Sequence, residues 1–167
     1  MNYNDYQRSC RATAIYPAYA ATVYPVLGLL DEIGELQEKL FHAAPREEVL
    51  KECGDVLWYC AIVADDCGIQ FARVVAEMGS VAYTPAYMHL PASRIAGIVK
   101  KVIRDDNGFM NTDTRGAVSI NLSEVVACVQ YWATEHASTL DEVCALNLAK
   151  LKSRADRGVI SGSGDNR

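Results

Sequence analysis

Two stretches of this chain carry apolar residues at helical spacing with paired carboxylates along the edge of the apolar stripe, and few folds accommodate both. In GLLDEIGELQEKL (28–40), Leu29, Ile33, Leu36 and Leu40 recur at steps of four, three and four. In REEVLKECGDVLWYCAIV (46–63), Val49, Cys53, Val56, Cys60 and Val63 repeat at the same kind of step. That period is the signature of α-helices buried along one face. Glu32 and Glu35 adjoin the first stripe, Glu52 and Asp55 the second, each pair three residues apart. A step of three turns a helix by roughly 300°, so the members of a pair lie about 60° apart on one face. Merely solvated carboxylates would sit opposite the stripe. Antiparallel packing of the two helices would instead bring four carboxylates into one small volume. Like charges share such a volume only when cations neutralise them. All-oxygen donors of this kind suit Mg²⁺ or Mn²⁺ rather than zinc.

Helical periodicity continues along the rest of the chain, and convincing strands are scarce. The pattern predicts a first helix capped by Asn4 or Asp5 and ending at the Tyr16–Pro17 break, with Pro25 in the first turn of the second. Pro45 opens the third, which ends near Gly68, and a short fourth spans 71–78. A Pro- and Tyr-bearing connection is expected over 79–91, a fifth helix over 93–104, and a turn at DDNG (105–108). Residues 109–119 read as an exposed loop or a short hairpin, and Asn121 with Glu124 as the capping box of a sixth helix over 122–136. Ser138 and Thr139 cap a seventh, running to about Arg154. The expected fold is an all-α antiparallel bundle of six to seven helices. It forms one domain over 1–157 with a glycine-rich tail or lid over 158–167.

A faint internal echo accompanies this plan. Residues 55–78 slide without a gap onto 124–147, matching Val56 with Val125, Ala64 with Ala133, Val74 with Val143 and Ala76 with Ala145. Glu52 and Asp55 then fall on Asn121 and Glu124, and, by a looser alignment, Glu32 and Glu35 on Arg94 and Gly97. Two degenerate helical repeats are the reading this opens, with the acidic group lost from the second.

Composition removes several function classes. A net charge of −5 opposes a nucleic-acid-binding surface. No apolar run reaches membrane-spanning length, and the polar opening MNYNDYQRSC is not a signal peptide, so a cytoplasmic location is expected. Cys53, Cys60 and Cys67 are seven residues apart, about 10 Å along one helix, too far for one bridge or one metal. With Cys10, Cys128 and Cys144 they read as small apolar core residues of a reducing compartment.

The last helix supplies a complementary charge. Asn147, Lys150, Arg154 and Arg157 are spaced to share one face. Cations late in a helix also favour the negative end of its dipole and need no ligand there. Paired with a carboxylate cluster that holds divalent metal, however, such a face is equipment for gripping a polyphosphate. Trp58, Tyr59, Tyr6 and Tyr16 are available to stack on a base, although aromatics at helical spacing more often belong to the core.

The chain resembles the MazG-like branch of the all-α nucleoside triphosphate pyrophosphohydrolases. The resemblance rests on YQ…TAIYP (6–17), YPVLGLLDEIGELQEKL (24–40), KECGDVLWYCAIVADDCGI (51–69) and NLAKLKSRADRGVISGSGDNR (147–167). It implies hydrolysis of a (d)NTP at the α–β bond to (d)NMP and pyrophosphate, with Mg²⁺ (Mn²⁺ substituting) held by Glu32, Glu35, Glu52 and Asp55. Glu35 and Glu32 would serve the attacking water. Asn147, Lys150, Arg154 and Arg157 would contact phosphate and Trp58 the nucleoside, in a homo-oligomer of two or four chains. About seventy residues, from Gly79 to Leu146, separate the acidic helices from the basic one where shorter relatives join them directly. The dimeric dUTPases of the same superfamily resemble a fused double unit, which makes dUTP a candidate beside dGTP and GTP. A phosphoribosyl-ATP pyrophosphohydrolase and a non-catalytic helical module binding nucleotide or protein are the competing readings.

Overall fold

The computed structural model describes residues 1–79 and 87–158. Among these the chain is helical and forms no strand: α1 (Tyr3–Arg11), α2 (Val23–Phe41), α3 (Arg46–Asp66), α4 (Phe71–Ala76), α5 (His89–Asp105), α6 (Thr112–Glu135) and α7 (Leu140–Asp156), with a 3₁₀ turn at Ala18–Ala20. The all-α bundle read from the periodicity is the fold observed. No helix of the described residues is long and apolar enough to cross a membrane.

Four residues connect α2 to α3, so the two fold back as a hairpin. The stripe residues Leu29, Ile33 and Leu36 of α2 and Val49, Cys53, Val56, Cys60 and Val63 of α3 are all buried where the two helices meet the rest of the core. Helices α5 and α6 form a second hairpin, and α3 and α6 pack on each other at the centre of the bundle. Helix α7 lies on α3, α4 lies on α6, and α1 crosses α3, α4 and α7. Exchanging α2, α3 and α4 for α5, α6 and α7 preserves the pairings among these six helices; α1 breaks the exchange by packing on α3 rather than on α6.

The internal echo is therefore carried by backbone geometry as well as residue type. Helix α3 ends at Asp66 and α6 at Glu135, which the gapless match superposes. After each comes a left-handed residue, Gly68 (φ 68°) and Ala137 (φ 51°). Each corner is closed by the same backbone bond of 2.8 Å, Ile69 N–H to Ala64 O and Ser138 N–H to Ala133 O. The next helices then begin at Phe71 and Leu140, both buried.

Four parts of the sequence expectation differ from the structure. Helix α1 is capped by Asn2, whose side chain accepts from the Asn4 and Asp5 amides, and it stops at Arg11 rather than near Tyr16. The chain from Ala12 to Thr22 instead turns back over the end of α3, held by the Asp66 carboxylate. That group accepts from the Tyr16 hydroxyl (2.8 Å) and the Thr22 amide (2.6 Å) and pairs with Arg11. Second, residues 112–119 are helix, not loop or hairpin. The cap of α6 is Asn111, which accepts from the Thr114 amide at 2.9 Å. Burial of Val118 and Ser119 carries the helix through a stretch of weak local propensity. Third, Asn121 and Glu124 are consequently mid-helix and form no capping box; Asn121 Nδ2 donates to Ala117 O at 2.7 Å. Fourth, α5 begins at His89 rather than near 93, so 89–91 are helix and not connection; residues 80–86 of that connection lie outside the described residues, as does the expected tail or lid from 159 onward.

Candidate metal and phosphate site

The register of the α2–α3 hairpin decides which acids converge. Near the connection Lys39 Nζ pairs with Glu48 Oε2 at 2.8 Å. Two turns further along, the same antiparallel register sets Glu32 opposite Asp55. Carboxylate oxygens of Glu32, Glu52 and Asp55 lie within 4.8 Å of one another. Glu52 is only 1% exposed, so its charge faces the cluster rather than water. Burial pushes the Glu32 carboxyl up to about 8, reinforced by the charges of Asp55, Glu35 and Glu52 and opposed by Lys150. At neutral pH, without a divalent cation, Glu32 therefore keeps its proton in most molecules. Glu35 is the exposed member of its pair: it acts on Glu32 through space but stands outside the converging trio.

Helix α7 brings the basic side of the site from the far end of the chain. Asn147, 3% exposed, donates from Nδ2 to Asp55 Oδ1 at 3.1 Å and accepts from the buried Tyr6 hydroxyl at 3.0 Å. Lys150 ion-pairs with the other oxygen of Asp55. This approach needs Gly54. A β-carbon there would stand 3.0 Å from the Asn147 β-carbon, tighter than ordinary packing allows. Gly28 plays a similar part on α2, where the Tyr59 ring occupies the space of a side chain. Arg154 continues the same face of α7 and is buried. Arg157 is exposed at the end of α7, with Nε donating to Ser153 O at 3.2 Å; about 10 Å of helix separates it from Lys150.

The aromatic candidates separate. Trp58 lies one turn beyond Asp55, half-buried against the core, and its Nε1 donates to Thr13 Oγ1 at 3.0 Å, which ties it to the segment after α1. Tyr6 is 1% exposed and cannot stack on a base; its hydroxyl instead fixes the Asn147 amide. Tyr16 spends its hydroxyl on Asp66. All six cysteines are free and buried, as small core residues.

Beside Lys150, α3 and α7 leave a cleft of about 310 Å³. Leu50 and Leu146 give it apolar walls, and Arg46, Lys51, Lys150, Glu47 and Glu142 line its polar side. Sequence reasoning named Lys150 and Asn147 here, offered Tyr6 as a base-stacking ring rather than as the partner of Asn147, and missed Gly54. The available signals were Tyr6 sharing an α1 face with Cys10 and a glycine in mid-helix where no turn requires one.

The donor set fits a hard divalent ion. Three carboxylates converge, one of them fully buried and one with its pKa pushed up by burial and by its acidic neighbours, and Lys150 pairs with the third. Glu32, Glu52 and Asp55 would hold the ion, with Glu35 at the mouth.

Over 76 residues the chain is 43% identical to the Gene 37 protein of Mycobacterium phage L5, an alignment covering 46% of this chain and 67% of that protein. No family model and no solved structure matches the chain.

Proposed function

We propose, for a chain that belongs to the same family as the Gene 37 protein of Mycobacterium phage L5, metal-dependent hydrolysis of a nucleoside triphosphate between its α and β phosphates, giving a nucleoside monophosphate and pyrophosphate. One observation carries the reading: an acidic trio and a lysine–asparagine pair from distant parts of the chain meet on Asp55. Carboxylates alone would repel a triphosphate, and cations alone would bind it without activating water. Together they do both.

Magnesium, when bound, supplies a Lewis acid and lowers the pKa of a coordinated water. The chain's residues do the rest. Glu32, Glu52 and Asp55 would hold that ion, and its charge would offset that of the triphosphate. Glu35, exposed and one turn away, accepts the proton of the attacking water. Lys150 exchanges its bond to Asp55 for one to the leaving pyrophosphate, where it offsets developing charge. Asn147, its amide fixed by Tyr6, keeps Asp55 oriented through that exchange. The cleft between Leu50 and Leu146 receives the nucleoside end.

The test is pyrophosphate release from each of the eight common (d)NTPs with Mg²⁺ or Mn²⁺. At least one nucleotide is expected to be cleaved, with activity lost in Glu52→Gln and Glu35→Gln. Absence of release from every nucleotide, with Mn²⁺ binding intact, would leave a nucleotide-binding module and refute the hydrolase reading.

A further inference from the structure

Both oxygens of Asp55 are engaged by α7, and the two donors are held very differently. Oδ1 accepts from Asn147 Nδ2 at 3.1 Å, and Oδ2 accepts from Lys150 Nζ. Asn147 is 3% exposed, its β-carbon packs against Gly54, and its own side-chain oxygen is fixed by the Tyr6 hydroxyl. It cannot leave Asp55 unless α7 moves. Lys150 carries its ammonium on a flexible four-carbon stem beside a cleft that it also lines, so it can swing away while the backbone stays put.

Asp55 is at the same time one corner of the acidic trio, with a carboxylate oxygen within 4.8 Å of those of Glu32 and Glu52. Lone pairs do not decide whether an ammonium and a metal can share it, because a carboxylate offers about four acceptor positions and these bonds leave some open. Charge decides. The side chains of Lys150 and Asp55 are each only 15% exposed, so water screens the pair poorly. A divalent cation seated against the trio would stand close to that ammonium. Like charges in such surroundings repel about fourfold more strongly than in bulk water. The ammonium also acts beyond Asp55, since it counteracts the effect of the neighbouring acids on Glu32.

We propose that Lys150 is a built-in counter-ion of this site: it competes with a divalent cation for Asp55 and yields when a polyphosphate takes up its ammonium. The inference rests on the polyphosphate reading of the site and adds the order in which the site is filled. Metal and polyphosphate enter together, each tightening the other, and linkage makes that coupling reciprocal. Asn147, uncharged and fixed in place, keeps Asp55 aimed while Lys150 changes partner.

Mn²⁺ binding by the full chain tests this without turnover. Bound Mn²⁺ is measured by equilibrium dialysis at free concentrations fixed with a nitrilotriacetate buffer, with and without inorganic pyrophosphate. Lys150→Met, similar in length and uncharged, should bind Mn²⁺ alone at least tenfold more tightly than wild type, with helicity unchanged by circular dichroism. Pyrophosphate should tighten Mn²⁺ at least tenfold in wild type and much less in Lys150→Met. Lys150→Arg, which keeps the charge, should bind Mn²⁺ alone as wild type does. Lys152→Met, which removes a charge from an exposed position of α7, should stay within about twofold of wild type. Equal or weaker Mn²⁺ binding by folded Lys150→Met overturns the proposal, and so does an equal gain in Lys152→Met. Failure of pyrophosphate to tighten Mn²⁺ in wild type overturns it too, and needs no variant. The expected Mn²⁺ pattern without pyrophosphate release from any nucleotide would keep the counter-ion and remove the hydrolase reading; release with the pattern absent would do the reverse.

Discussion

The acidic trio makes a prediction about stability before any substrate is added. Replacing Glu32 with Gln removes a carboxyl whose protonation the fold controls. Its folded carboxyl stands at about 8 against an ordinary 4.5. A carboxyl raised in this way binds its proton more tightly folded than unfolded. The stability it contributes is therefore fully present below about 4.5 and is lost as pH rises through about 8. At about 1.4 kcal/mol per pH unit the ceiling is about 5 kcal/mol. Partial exposure of Glu32 screens the charge, and about 2–3 kcal/mol is the expected loss. Urea unfolding in EDTA at about pH 5 and about pH 9 reads it directly. Wild type should lose that amount between the two conditions relative to Glu32→Gln, since other titrating groups cancel in the difference. Mg²⁺ at the higher pH should restore wild type and stabilise the variant less, because the variant lacks a ligand. Parallel pH profiles for the two proteins would refute the claim that these three carboxylates are electrostatically crowded.

Three further outcomes follow from the contacts around the site. Tyr6→Phe deletes the hydroxyl that fixes the Asn147 amide, so stability should fall by about 1–2 kcal/mol while kcat falls with KM little changed, as separate unfolding and steady-state measurements would show. Gly54→Ala places a methyl group 3.0 Å from the Asn147 β-carbon; α7 must move away, and Mn²⁺ titration with nucleotide present should show weakened triphosphate binding while Mn²⁺ alone still binds. Asp66→Ala leaves Arg11, Tyr16 and the Thr22 amide without their shared acceptor, with an expected cost of about 3–5 kcal/mol in chemical denaturation. Thr22 is held at φ 65°, so its segment should become the first to exchange amide protons.

The amino-acid order alone determined everything that depends on helical period. A repeat of three and four places Glu32, Glu35, Glu52 and Asp55 beside their apolar stripes wherever those helices pack, and it puts Asn147, Lys150 and Arg154 on one face of α7. It could not say that both acids of the second pair but only Glu32 of the first would turn inward. That depended on the hairpin register marked by Lys39 and Glu48, which gathers Glu32 with Glu52 and Asp55 and leaves Glu35 at the rim. Nor could local pattern show that Tyr6 would be buried behind Asn147, that Trp58 would be tied to Thr13, or that α6 would begin at Thr112. Each of these is settled by partners many residues away, whose contacts outweigh the few tenths of a kcal/mol by which local propensities differ. The echo between the halves was faint in residue identity because packing constrains shape more than type. Only the folded chain showed that the corners after α3 and α6 share one backbone geometry.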